Sequence, residues 1–247
     1  MGFQRAAGRY ERARPEVPQA ALDSLTQVLG ITHRTSVLEL GAGTGKLSRL
    51  LAPRAGPYLG VEPVPGMRDQ FRASNGAIPL VGGIAEMLPL RAASFDSVVA
   101  AQAFHWFDVP RAMAEMHRVL RPGGTVGLVW SVRDESVDWV HQVTVILDQY
   151  DPGSPRFRKG NWREVWARTP GFEPLQRQSF PFVHRLDRQT TLARFTSVSF
   201  IASLTPERFA EAEGRLRHLL DTHPMTAGRS EIDAPYDCQV FSSRAVP

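Results

Sequence analysis

SVLELGAGTGKLSRLL, residues 36–51, changes character twice within sixteen positions. Val37-Leu38-Glu39-Leu40 reads as a buried strand, Gly41, Gly43 and Gly45 follow at alternate positions, and Leu47, Leu50 and Leu51 start an apolar helical pattern. Strand, glycine turn and helix are how an open α/β sheet makes a nucleotide-sized crevice at its carboxyl edge. Glycine takes backbone angles closed to other residues and lets a ligand approach with no Cβ in the way. The N–H groups opening the next helix can face a carboxylate or phosphate.

Spacing separates the ligands that use such a turn. A Walker loop needs G-x-x-x-x-G-K-[ST], but Leu40 stands where its first glycine belongs and Leu47 follows Lys46. A dinucleotide fingerprint needs G-x-G-x-x-G, and position 46 is lysine. Further on, Tyr58-Leu59-Gly60-Val61 reads as a second strand ending in Glu62. An acid about 20 residues past the first glycine is placed to meet ribose hydroxyls, so any adenosine-bearing ligand is served.

Composition narrows the class. The 247 residues are 43% hydrophobic, enough for one α/β domain with or without a lid. No apolar run reaches the roughly 18 residues of a membrane span, and MGFQRAAGRYERARP lacks the apolar segment of a secretory signal. Cys238 is the one cysteine, so no intramolecular disulfide and no cysteine-rich zinc site is expected. These features point to a cytoplasmic protein without a metal. The net charge of +4 comes from scattered arginines rather than a stripe, which argues against nucleic acid as the substrate.

Taken in order, 1–30 reads as an N-terminal cover followed by a helix from Pro18 to Leu29, with Gly30 as its stop. A helix over 65–74, a strand over 78–81, a buried strand over 94–101, a helix over 109–120 and a strand over 125–130 complete a core spanning 31–131. Alternating strands and helices make a mostly parallel sheet. Region 132–247 reads as C-terminal strands with a helical lid: a helix ending near Tyr150, helices over 190–203 and 206–220, and a strand over 237–242. Pro181 makes 180–182 a poor central strand, because proline lacks the ladder donor.

Several stations together resemble one family. Glu39-x-Gly41-x-Gly43-x-Gly45, GVEP ending in Glu62 and Pro63, AEMLPL at 85–90, FDSVVAAQAFHWFD at 95–108 and VLRPGG at 119–124 are similar to class I S-adenosylmethionine-dependent methyltransferases. The likeness is to the small-molecule group that includes the ubiquinone and menaquinone C-methyltransferases. It implies a single Rossmann-like domain, a seven-stranded mostly parallel sheet with helices on both faces, plus a helical lid or C-terminal insertion. By the same resemblance, Gly41, Ala42 and Gly43 line the methionine portion of S-adenosylmethionine. Glu62 holds the ribose hydroxyls, Ala85 meets adenine with Glu86 close by, and Gln102 and Ala103 flank the sulfonium. Tyr10 and Arg14 resemble an N-terminal cover. Where many relatives carry Asp or Thr before the Ala-Glu pair, this chain has Ile84, so a side-chain contact to the adenine amino group is missing there.

Each residue also has a plainer reading. Glu39 either faces the cofactor's ammonium group or caps local backbone N–H groups, and Glu86 can be a surface charge. His105 is either a general base or a residue that packs and hydrogen-bonds beneath the cofactor. Phe104, Trp106, Phe107 and Trp130 suit an apolar substrate pocket, with Trp139, Trp162, Trp166, Phe195 and Phe200 in the lid region, and core packing is the alternative for all of them. AQAFHWF at 101–107 lacks the Asn-Pro-Pro-aromatic sequence that resembles amino-methylating enzymes, which favours carbon or oxygen acceptors on a small molecule. A homodimer is left open. Two rivals stand: an NAD(P)-dependent oxidoreductase, and a non-methylating relative that uses the bound cofactor structurally.

Overall fold

The structure is a computed structural model that describes residues 14–153, 157 and 160–246. Seven strands form one sheet: β1 (Val37–Leu40), β2 (Tyr58–Val61), β3 (Leu80–Val81), β4 (Phe95–Ala101), β5 (Leu120–Arg133), β6 (Gln176–Asp187) and β7 (Glu231–Arg244). Across the sheet they run β3-β2-β1-β4-β5-β7-β6. β1 to β5 are parallel, with Leu40 opposite Val61 and Val37 opposite Ser97. β7 runs against β5: Ala245 donates to the Gly124 carbonyl (2.8 Å), and at the other end Asp134 donates to that of Pro235 (3.0 Å). The chain leaves β1 toward β2 on one side and later returns to place β4 on the other. Such a switch point opens a crevice beyond the carboxyl ends of the two strands.

Helices connect the strands: α1 (Gln19–Val28), α2 (Ser48–Leu51), α3 (Pro65–Asn75), α4 (Val109–Val119), α5 (Asp138–Asp148), α6 (Trp162–Arg168), α7 (Arg188–Thr196), α8 (Ser199–Ala202) and α9 (Pro206–Thr222). α1 buries Ala21, Leu22 and Leu25 and stops at Gly30. There Gly30 donates to the Gln27 carbonyl and Ile31 to that of Thr26, the paired bonds of a Schellman motif. α4 and α9 start as their sequences dictate, with Asp108 and Thr205 side chains accepting from Arg111 and Arg208 N–H and a proline in the first turn.

The chain divides into two compact units. The first comprises 16–131, 155–180 and 238–247, and holds the parallel strands. Of the described residues, the second comprises 14–15, 132–153 and 181–237, with a core of Trp139, Val143 and Leu147 from α5, Phe195 from α7, Leu216 and Leu220 from α9, and Tyr236 from β7.

Three features depart from the sequence reading, and one agrees with it. The helix over 190–203 is broken: α7 ends at Thr196, Ser197 turns its hydroxyl onto the Arg194 carbonyl (2.9 Å), and Val198 is extended before α8. The final strand runs over fourteen residues instead of six, with its alternate residues buried. β6 lies at the sheet edge, as the reading of 180–182 as a poor central strand requires, since an edge strand can do without the ladder donor that Pro181 lacks. Finally, Trp162 and Trp166 belong to the unit of the parallel strands, not to a helical lid.

Candidate functional site

β1 ends on Leu40, and the turn beyond it is held by three short contacts. Ala42 donates to the Val61 carbonyl at the end of β2 (3.0 Å), Gly45 to that of Ala42 (2.9 Å), and Gly43 to the carboxylate of Glu62 (2.9 Å). Gly41, Gly43 and Gly45 have φ of +66°, +59° and +85°, a region that L side chains enter only with strain. Their surroundings differ. A Cβ on Gly41 would stand 2.6 Å from that of Ala103, and one on Gly45 would stand 2.3 Å from Asn75 Nδ2. Around Gly43 the nearest atom to such a Cβ is 4.0 Å away. Two of these glycines therefore admit neighbouring protein, and the middle one keeps a face open.

Glu62 is buried beside that open face. One oxygen accepts from Gly43 N–H and the other from Val64 N–H, both at 2.9 Å. A carboxylate has about four lone-pair positions, so two remain for hydroxyl donors. Burial pushes the Glu62 carboxyl above its ordinary range, and the two N–H bonds act against that rise. Next to it, the Pro63 carbonyl accepts from the Arg68 guanidinium (2.6 Å).

Glu39 lies deeper, 1% exposed. It accepts hydrogen bonds from the Ser48 hydroxyl and from the Tyr58 hydroxyl (2.8 Å). Burial raises its pKa from 4.5 to about 7, against the pull of those two bonds, and the nearby Glu62 charge adds to the rise. A carboxyl whose folded pKa is raised favours the protonated native state. The stability it contributes is complete below the unfolded value of 4.5 and is lost as pH rises through about 7. That difference is on the order of 3 kcal/mol. The expected result is that Glu39→Gln flattens this decline, so that the variant melts above the parent protein at pH 8. An unchanged pH profile by calorimetry would remove Glu39 as its source.

The other wall of the crevice is the segment after β4. Gln102 has φ +56°, rare for a residue with a side chain and a mark of local strain. Its N–H donates to the Val129 carbonyl (2.8 Å) and its side-chain amide to that of Ser131 (3.3 Å). Ala103 then packs under Gly41. His105 Nδ1 accepts from the Trp130 indole N–H at 3.2 Å, which leaves the proton of the neutral ring on Nε2. Ala85 is buried, while Glu86 accepts from the Asp108 N–H that opens α4 (2.9 Å).

Residues 38–128 match the family model of the methyltransferase domain. An uncharacterized methyltransferase-like protein of Schizosaccharomyces pombe is 35% identical over 99% of this chain and 96% of its own length. An uncharacterized methyltransferase of Mycobacterium tuberculosis is 36% identical over 96% of this chain and 92% of its own. The chain belongs to the class I S-adenosylmethionine-dependent methyltransferases. A solved structure from Anaeromyxobacter dehalogenans, provisionally described as a type II methyltransferase, shares the fold with a TM-score of 0.71 at 24% identity, covering 94% of this chain and 97% of that one.

Within this methyltransferase the structure brings Gly41, Ala42, Gly43, Glu62, Gln102 and Ala103 to the carboxyl ends of β1, β2 and β4. Arg14 belongs to the second compact unit, and Tyr10 lies outside the described residues. The four aromatic residues read as a pocket separate into two pairs. Trp106 is 46% exposed and Phe107 half-buried. Phe104 and Trp130 are buried among core residues, the packing alternative of the sequence reading. Phe104 is enclosed by Phe107, Trp162 and Trp166 at 5.6–5.8 Å, and Trp130 stacks on Trp162 at 4.8 Å. The helix after the glycine turn, α2, has only four residues, so the cradle rests on the turn and Glu62 rather than on a helix terminus. Sequence reasoning missed Tyr58, Ser48 and Asn75. Asn75 alone left a signal, an amide residue just before Gly76 at a helix end; it donates to the Thr44 carbonyl (2.9 Å) and so fixes the turn.

Proposed function

We propose that the chain binds S-adenosylmethionine at the glycine turn and transfers its methyl group to a carbon or oxygen of a small, partly apolar molecule. The observation that carries this reading is the open face of Gly43 beside a buried carboxylate with acceptor positions to spare. In it, Glu62 accepts from the ribose hydroxyls, Gly41, Ala42 and Gly43 border the methionine portion, and Glu39 supports them from below. Pro63, Ala85 and Glu86 flank the adenine, while Gln102 and Ala103 border the sulfonium. Trp106 and Phe107 offer the apolar surface to the acceptor.

Bound S-adenosylmethionine supplies an electrophilic methyl group on a positively charged leaving sulfur. What remains for the chain is alignment and exclusion of water, worth up to roughly 7–11 kcal/mol for well-oriented reactants. A base is needed only where the acceptor must lose a proton. His105 is the residue for that task, and taking a proton at either ring nitrogen gives up the Trp130 hydrogen bond, about 1 kcal/mol. His105→Ala is expected to lower turnover about 100-fold while leaving S-adenosylmethionine affinity within about twofold. Unchanged turnover would take His105 out of the chemistry.

Transfer of an isotope-labelled methyl group from S-adenosylmethionine into a small-molecule metabolite extract tests the reading. A labelled product that requires the enzyme is expected. Tight cofactor binding with no labelled product would favour a non-methylating use of the cofactor, and saturable NADH binding with no response to S-adenosylmethionine would favour an oxidoreductase.

A further inference from the structure

The second compact unit contains a buried cation with no counter-ion among the described residues. Arg194 in α7 is 8% exposed, and its Nε and Nη1 are buried without a hydrogen-bond acceptor. The guanidinium carbon lies 5.8 Å from the ring centroid of Tyr236, itself 2% exposed, whose hydroxyl is also buried without a partner. Phe182 stacks on Tyr236 at 5.6 Å and His184 meets it edge-on at 6.2 Å. Neighbouring arginines are provided for: Arg185 holds Asp233 through two hydrogen bonds, and Arg188 holds Asp221 and the Thr226 carbonyl. Among the described residues no carboxylate pairs with Arg194.

Arginine keeps its charge in proteins, and a buried charge is costly unless paired and hydrogen-bonded. A cation–π contact with Tyr236 engages the π face of the ring and gives the guanidinium N–H groups no acceptor atom. The Nε and Nη1 donors of Arg194 lie in the plane and stay unserved, as does the tyrosine hydroxyl. We infer that Arg194 and Tyr236 form a recognition site for the carboxylate of a small organic acid. A guanidinium fork matches a planar carboxylate bidentately, with the hydroxyl as a third donor. One buried positive charge balances a carboxylate monoanion and not a phosphate of about −1.5 to −2 charge. The rings of Tyr236 and Phe182 suit an acid with an apolar body.

The test is thermal unfolding of the full chain, without methyl donor, in about 10 mM hexanoate or phenylacetate, against their neutral amides and inorganic phosphate. At least one acid is expected to raise the melting temperature by about 5 °C, with no rise from the amides or phosphate. Arg194→Met is expected to melt at or above the parent protein, having lost an unpaired buried charge, and to show no acid-dependent rise. Arg194→Lys keeps the charge without the fork and is expected to need at least tenfold more acid; with Tyr236→Phe, expected to bind more weakly, it carries the test if Arg194→Met does not fold. Equal shifts from acid and amide, a shift from phosphate alone, a shift retained in Arg194→Met, or no shift from either acid would overturn the site.

Discussion

Glu62→Ala is expected to weaken S-adenosylmethionine binding about 100-fold or more. In the proposed role each oxygen of Glu62 keeps one lone pair for a ribose hydroxyl, and hydrogen bonds to a charged group contribute roughly 1.5–3 kcal/mol apiece. Two such bonds exceed the 2.8 kcal/mol or so that corresponds to 100-fold in affinity. The substitution also leaves the Gly43 and Val64 N–H groups without their acceptor. Some loss of stability should accompany it, roughly 1–3 kcal/mol. Glu62→Gln separates the two effects, because an amide keeps one acceptor oxygen but not the charge, and should fall between the parent and Glu62→Ala in affinity. Burial raises the carboxyl's pKa, so acidification should weaken binding from a pH above the usual glutamate range. Calorimetric affinity unchanged in Glu62→Ala would refute the ribose assignment.

Substituting the motif glycines should divide stability from binding. Gly45→Ala places a Cβ at φ +85°, 2.3 Å from Asn75 Nδ2 and 2.9 Å from Phe71 Cδ2. The left-handed backbone costs roughly 1–2 kcal/mol, the overpacking about 1–3 kcal/mol more, and the threatened Asn75 bond about 1 kcal/mol. The melting temperature should fall by on the order of 10 °C. Gly43→Ala pays the backbone strain alone, since its Cβ meets nothing within van der Waals contact. It should lower the melting temperature by about 2–8 °C and yet weaken the cofactor at least about tenfold, because the new methyl group occupies the open face. Melting curves and titrations of both variants check this. A Gly43→Ala protein that binds the cofactor as tightly as the parent would contradict the assigned face.

The core was legible because its signals are local. A strand, glycines at alternate positions and a helical repeat fix β1 and its turn, and the 21 residues from Gly41 to Glu62 place an acid at the end of β2. Contacts set by register were not legible. Tyr58 reaches Glu39 because Val37 aligns with Tyr58 in the parallel pair, a pairing that no local pattern encodes. Trp162 and Trp166 show the same limit. They were placed in the lid region, and nothing in their i, i+4 spacing says which unit their segment joins. Arg194 in α7 looked like any helix arginine, since only the folded unit shows that both its salt-bridging neighbours are taken and it is not.

The most direct measurement is calorimetric titration of the folded protein with S-adenosylmethionine and with its demethylated product, S-adenosylhomocysteine. Saturable binding of both at one site is expected, weakened in Glu62→Ala and Gly43→Ala. Flat traces with both ligands on well-folded protein would contradict the glycine turn and Glu62 as the cofactor cradle.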